Sequence, residues 1–137
     1  MQRQARRDTT PEMQLRRELH RLGLRYRVNV RPLQNLRRRA DVVFRRAKVA
    51  VEIRGCFWHF CPRHGMLPDS NYVWWKNKLK RNRQRDAETE EHLKAAGWIL
   101  VVVWEHESPV KAASMICRTV RRRSLTRTHY QHPVHGP

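Results

Sequence analysis

A mixed α/β domain, with a central sheet and helices packed on its faces, is predicted by three features of the sequence. Two short apolar stretches, 40–44 and 48–53, are joined by Arg45-Arg46 in the manner of a hairpin. A third, Trp98 to Trp104, is almost continuously apolar, as a strand buried on both faces of a parallel or mixed sheet would be. Helical periodicity flanks them: Leu15, Leu19 and Leu22 come before, and Val110, Ala113, Ile116, Cys117 and Val120 after. The order reads α-β-β-β-loop-α-β-α, a sheet sandwiched between helices.

The first helix is announced by Thr9 or Thr10 as cap, Pro11 in the first turn and Glu12 where a capping box places an acid. Gly23 closes it. Tyr26, Val28 and Val30 then alternate with Arg25, Arg27 and Asn29, the pattern of a half-buried strand. Residues 31–39 form a basic loop without periodicity. After the hairpin comes Gly55-Cys56-Phe57-Trp58-His59-Phe60-Cys61-Pro62-Arg63-His64-Gly65, dense in thiol, imidazole and aromatic surface. Asn71 caps a long helix ended by Gly97, apolar at Tyr72, Val73, Trp74, Trp75 and Leu79 and basic from Lys76 to Arg85. Ser108-Pro109 starts the last helix. Residues 1–120 are read as one domain and 121–137 as a basic, disordered tail.

With 30 Lys and Arg against 12 Asp and Glu, the formal net charge is +18. Such a balance points to a polyanion, nucleic acid above all, rather than a small metabolite. No apolar run approaches the roughly 20 residues a bilayer span needs. Met1-Gln2-Arg3-Gln4-Ala5 has no apolar segment of the kind a secretory leader carries. Three cysteines, two of them in one histidine-bearing loop, fit a reducing cytoplasm better than a disulfide framework.

Two groups of residues carry chemistry. Asp41 opens one hairpin strand and Glu52 lies late on the other, followed by Ile53 and Arg54. A carboxylate inside an apolar strand is expensive to bury without a cation or a partner. Paired strands would bring Asp41 and Glu52 together, and hard oxygen donors of this kind hold Mg2+ for phosphate chemistry. The alternative is a pair of salt bridges to the abundant neighbouring arginines. In the loop, Cys56, Cys61 and His64 offer three ligands at a spacing that suits tetrahedral zinc; the alternative is a buried turn with incidental cysteines. A compact nuclease fold shares this layout, with an acid at the start of one central strand and Glu-x-Lys on the next.

Gly55-Cys56-Phe57-Trp58-His59, with Asp41 upstream and Gly97-Trp98 and Val103-Trp104-Glu105 downstream, resembles the very short patch repair (Vsr) endonucleases. Arg7-Asp8-Thr9-Thr10-Pro11-Glu12, Trp75, Lys78 and Asn82-x-x-Arg85-Asp86 extend the match from about Met1 to Glu107. The resemblance implies a three-layer restriction-endonuclease-like, PD-(D/E)XK fold with a structural zinc site. It also implies an enzyme that nicks DNA beside the thymine of a T:G mismatch left by deamination of 5-methylcytosine. Asp41 would bind catalytic Mg2+ together with the backbone carbonyl of Ile53. His59 would move a proton at the scissile phosphate, and Glu12 would hold metal-bound waters. Phe57, Trp58, Trp75 and Met1 match residues that wedge into the helix, a distortion that costs least at a mismatched step. Zinc would be held by Cys56, Cys61, His64 and His106, the last standing where the family commonly has cysteine. The family also implies a monomer acting on mismatched double-stranded DNA, coupling to other mismatch-repair proteins, and a cytoplasmic, nucleoid-associated location of prokaryotic type.

The chain departs from the pattern at Glu52-Ile53-Arg54, where the family often carries His or Asp in place of Arg54. Arginine is a fixed cation that steadies a phosphate but does not act as a base. Glu52 becomes a candidate additional metal ligand, and Glu52 and Arg54 join the catalytic set. Lys76, Lys78, Lys80, Arg81 and Arg85, with Arg37-Arg38-Arg39, are read as tracking DNA phosphates. Cys117 is read as a core residue of the last helix. Two alternatives stay open: a related nuclease of different DNA specificity, and a catalytically silent zinc-containing DNA-binding module.

Overall fold

The computed structural model describes residues 10–55 and 71–135 of the 137. Helix α1 spans Thr10–Arg21, followed by strands β1 (Arg27–Val30), β2 (Ala40–Phe44) and β3 (Val49–Arg54). Helix α2 (Tyr72–Ala95), strand β4 (Ile99–Trp104) and helix α3 (Pro109–His135) complete the described chain. The strands lie in the order β1-β2-β3-β4, antiparallel except for the β3–β4 pair, which is parallel. This is the predicted mixed sheet in the predicted element order.

Strand alternation sorts the core into two layers. Val42 and Phe44 of β2, Val49 and Val51 of β3 and Val103 of β4 meet Leu15 and Leu19 of α1 and Ala112, Ala113, Ile116 and Val120 of α3. On the other face, Val43 and Ala50 meet Leu93 of α2, Trp98 and Leu36. The architecture is therefore α1/α3, sheet, α2. Val42, Val43, Val49, Ala50 and Val51 are fully buried, so the β2–β3 hairpin is the doubly covered centre. Tyr26 closes one corner, its ring edge-on to Phe44 at 5.9 Å and its hydroxyl donating to the Arg16 carbonyl at 3.0 Å.

Both helix-ending glycines take the left-handed conformation expected of them, Gly23 at φ 81° and Gly97 at φ 82°. Other local expectations are corrected. Asn71 sits at φ 56° and makes no side-chain cap bond to α2, so it turns the chain into the helix rather than capping it. Strand β4 ends the described sheet and is less deeply buried than β3, with Ile99 exposed, but it is packed on both faces as expected: Leu100 on the α2 side, Val101 and Val103 on the α1/α3 side. Val110 is exposed, and Ala112 takes the buried position in its place. Thr10 lies inside α1, and Thr9 lies outside the described residues.

The largest difference lies at the last helix. Where a disordered tail is expected from Arg121, α3 continues without a break. Arg121 donates to the Leu22 carbonyl at 3.3 Å, and Arg123 donates through Nε to the Ala47 carbonyl at 2.6 Å and through Nη2 to the Gly97 carbonyl at 2.5 Å. One guanidinium thus ties the β2–β3 turn and the α2–β4 turn to α3. A basic composition reads as solvated tail, but here the cations satisfy carbonyls that two turns leave open. Cys117 is buried in this helix, as a core residue should be.

Replacing Arg123 with Ala should lower stability by about 1.5–3 kcal/mol, the range for a hydrogen bond to a charged group, read as a lower urea midpoint with unchanged slope. Burial raises the Tyr26 pKa above its ordinary 10.0, against a smaller opposing effect of the Arg16 charge. The folded state holds this proton more tightly, so its contribution is full below pH 10 and is lost as pH rises through the folded value. Across that window Tyr26→Phe should lose less stability than wild type; parallel losses would contradict it.

Candidate nuclease site

The site forms at the end of the sheet where β2 begins and β3 ends. Val42 pairs with Val51, and the same register carried one residue further sets Asp41 opposite Glu52. Antiparallel partners point to one face, here the face covered by α2. Asp41 Oδ2 accepts the Ile53 backbone N–H at 2.7 Å, fixing the carboxylate against the neighbouring strand. Parallel pairing of Arg54 with Trp104 then carries the row across to β4.

The helix above this row explains the charges beneath it. Leu79, Asp86 and Leu93 recur every seven residues, so they form one stripe of α2, and all three are buried. Asp86, only 5% exposed, occupies the middle position of this stripe, where a leucine would be expected. It is met by two arginines: Arg38 Nη2 lies 3.2 Å from its Oδ1 and Arg54 Nε 3.8 Å from its Oδ2. The same Arg38 Nη2 is 3.3 Å from Glu52 Oε1, and Arg54 Nε is 3.6 Å from that oxygen. The four side chains form a ring of alternating charge. Glu52 is thus salt-bridged to neighbouring arginines, as the alternative reading had it. Arg38, expected to track phosphates, is instead spent on two internal carboxylates.

Glu12 is buried in α1 and ion-paired with Arg16 one helical turn on. His106 lies exposed in the turn after β4. The Glu105 N–H donates to the Arg54 carbonyl at 3.0 Å, so this turn leaves the sheet beside the chain leading from β3 towards Cys56. Cys56, Phe57, Trp58, His59, Cys61, His64 and Met1 lie outside the described residues. Among the described residues, no three His, Cys, Asp or Glu side chains converge tightly enough to hold a metal.

On α2, Trp75 is half-buried and meets Trp74 edge-to-face at 4.7 Å, while Lys78 Nζ stands 5.2 Å over the more exposed Trp74 ring. Lys76, Lys80, Arg81 and Arg85 are exposed and Lys78 is half-buried. Trp74, Asn77, Lys80, Arg81 and Gln84 line a shallow surface depression. Sequence reasoning gave no role to Asp86, to Arg38 as an ion-pair partner, or to Trp74. The heptad spacing of Leu79, Asp86 and Leu93 was the available signal for the first.

The family model for the DNA mismatch endonuclease Vsr matches residues 1–63. The type II nicking enzyme V.NaeI of Lentzea aerocolonigenes is 43% identical over 122 residues, covering 88% of this chain and 74% of its own. The type II nicking enzyme V.XorIIP of Xanthomonas oryzae pv. oryzae is 38% identical over 109 residues, covering 78% and 77%. The DNA mismatch endonuclease Vsr of Escherichia coli is 33% identical over 104 residues, covering 74% and 64%. With a mixed sheet between helical layers that fits a restriction-endonuclease-like fold, these matches define a DNA endonuclease. The chain belongs to the Vsr family of nicking endonucleases. No helix among the described residues is long and apolar enough to cross a membrane.

Exposed cations on α2 should contribute to DNA affinity through counterion release. Replacing Lys76, Lys80 or Arg81 singly with Ala should weaken binding about equally for every duplex sequence. Each replacement should lower the slope of log affinity against log salt by about one. An unchanged slope would remove that residue from the interface.

Proposed function

We propose that this enzyme nicks one strand of duplex DNA beside the thymine of a T:G mismatch, by Mg2+-dependent hydrolysis of a single phosphodiester. The observation that carries this reading is Asp41, anchored by the Ile53 N–H at the end of the central hairpin and set opposite Glu52. A carboxylate and a nearby backbone carbonyl, that of Ile53, fit Mg2+, which takes one or two carboxylates and keeps several waters. Glu52 is an additional candidate ligand, although its Oε1 already faces Arg38 and Arg54. When bound, the ion supplies an activated water and charge stabilisation at the phosphate. Asp41 orients that centre, Glu12 positions water, His59 transfers the proton and Arg54 steadies the phosphate.

Cys56, Cys61, His64 and His106 form the proposed structural zinc site, supported by the adjacent exits of β3 and β4 from the sheet. Phe57, Trp58, Trp75 and Met1 are the proposed wedges. A monomer, its cooperation with other repair proteins and a cytoplasmic, nucleoid-associated setting belong to the same proposal. A second reading, a related nuclease of different specificity, is favoured by the arginine at position 54 and by relatives named as type II nicking enzymes.

End-mapped cleavage of T:G and matched duplexes with Mg2+ tests these together. The expected product is a single nick beside the mismatched thymine, lost by at least about 100-fold in Asp41→Ala, since even outer-shell partners of metal sites cost 10–100-fold. Equal nicking of matched duplex favours the second reading. Binding without cleavage by wild type would instead favour the catalytically silent module. Retained Mg2+-dependent nicking in Glu52→Gln removes Glu52 from the ligand set.

A further inference from the structure

The charged ring under α2 is incomplete in one respect. Arg38 is within hydrogen-bond distance of both carboxylates, Glu52 Oε1 at 3.3 Å and Asp86 Oδ1 at 3.2 Å. Arg54 approaches the same two side chains only at 3.6 and 3.8 Å, beyond hydrogen-bonding range. Its side chain is 12% exposed, and its Nε and Nη2 are buried without a hydrogen-bond partner among the described residues. Two carboxylates hold this guanidinium by charge while Arg38 occupies part of their accepting capacity. The result is a fixed cation with unsaturated donors, one residue after the peptide that anchors Asp41. Buried donors left unmade are costly, and the planar fork of arginine suits the oxygens of a phosphate.

We propose that Asp86 is a positioning residue for strand cleavage: with Glu52 it holds Arg54 so that Arg54 donates to a non-bridging oxygen of the phosphodiester being cut, and Arg38 keeps the two carboxylates from saturating it. This rests on the nuclease reading above and adds to it the device that aims one donor. Asp86 touches no substrate; its effect passes through Arg54.

The test is a double-mutant cycle on single-turnover nicking at saturating duplex, with duplex affinity measured separately in the absence of divalent metal. Arg54→Gln should slow the step by about 10²–10³-fold, the range for removing one donor from a developing charge. Asp86→Asn should slow it by about 10–10²-fold, as for a displaced reacting group. The double variant should match Arg54→Gln within about twofold, because Asp86 has nothing left to position. Affinity should change little in any of them. A phosphorothioate at the mapped cleavage position adds a readout that a purely structural role would not move. The penalty for one diastereomer should shrink in Arg54→Gln, and this arm stands even where Asp86→Asn fails to fold. Multiplying losses in the double variant, or an unchanged sulfur penalty, would overturn the proposal while leaving the nuclease reading intact. Wild type that cuts no duplex would overturn both.

Discussion

A single buried carboxylate decides how α2 can sit on the sheet. Asp86 takes the central position of the stripe by which the helix docks, between Leu79 and Leu93. A charge taken out of water there is tolerable only if cations meet it, and removing a partner from such a pair typically costs about 3–5 kcal/mol. Arg38 and Arg54 are those cations, one from the loop before β2 and one from the end of β3. The helix register, the course of the basic loop and the end of the central hairpin are therefore coupled at one point. A helix with leucine at that position would pack as well on apolar grounds, but it would have no need of either arginine.

The same constraint accounts for what the sequence made legible and what it hid. Period-two and helical patterns placed the hairpin, the parallel strand and the helices, because burial of apolar faces dominates those elements. Which strand would be the more deeply buried was not legible. The runs 49–53 and 99–104 are both apolar, and only the strand order puts β4 at the edge. Asp41 stood out because an acid is rare at the head of an apolar strand, and its bond to the Ile53 N–H follows from the hairpin register. Arg38 could not be told from Arg37 and Arg39 by composition, since the choice among three adjacent arginines is made by two carboxylates distant in the chain. Asp86 was disguised in the same way, as one acid closing a basic run.

Not all of the excess positive charge faces solvent or DNA, as Arg38 already shows. A chain this basic invites every arginine cluster to be read as solvated or DNA-facing. Arg121 and Arg123 show the other use, donating to backbone carbonyls at the ends of helices and turns. Part of the positive charge is architecture, and only the remainder is available to a polyanion.

Arg123 also fixes the polarity of the molecule. The turns it joins lie at the Val49 end of β3, whereas Asp41, Glu52 and Arg54 gather at the other end. Along β3, Val49 lies three steps from Glu52 and five from Arg54, about 10 and 17 Å at the usual rise. Arg123, and the turn of α3 that carries it, thus stand at the pole of the sheet opposite the candidate nuclease site.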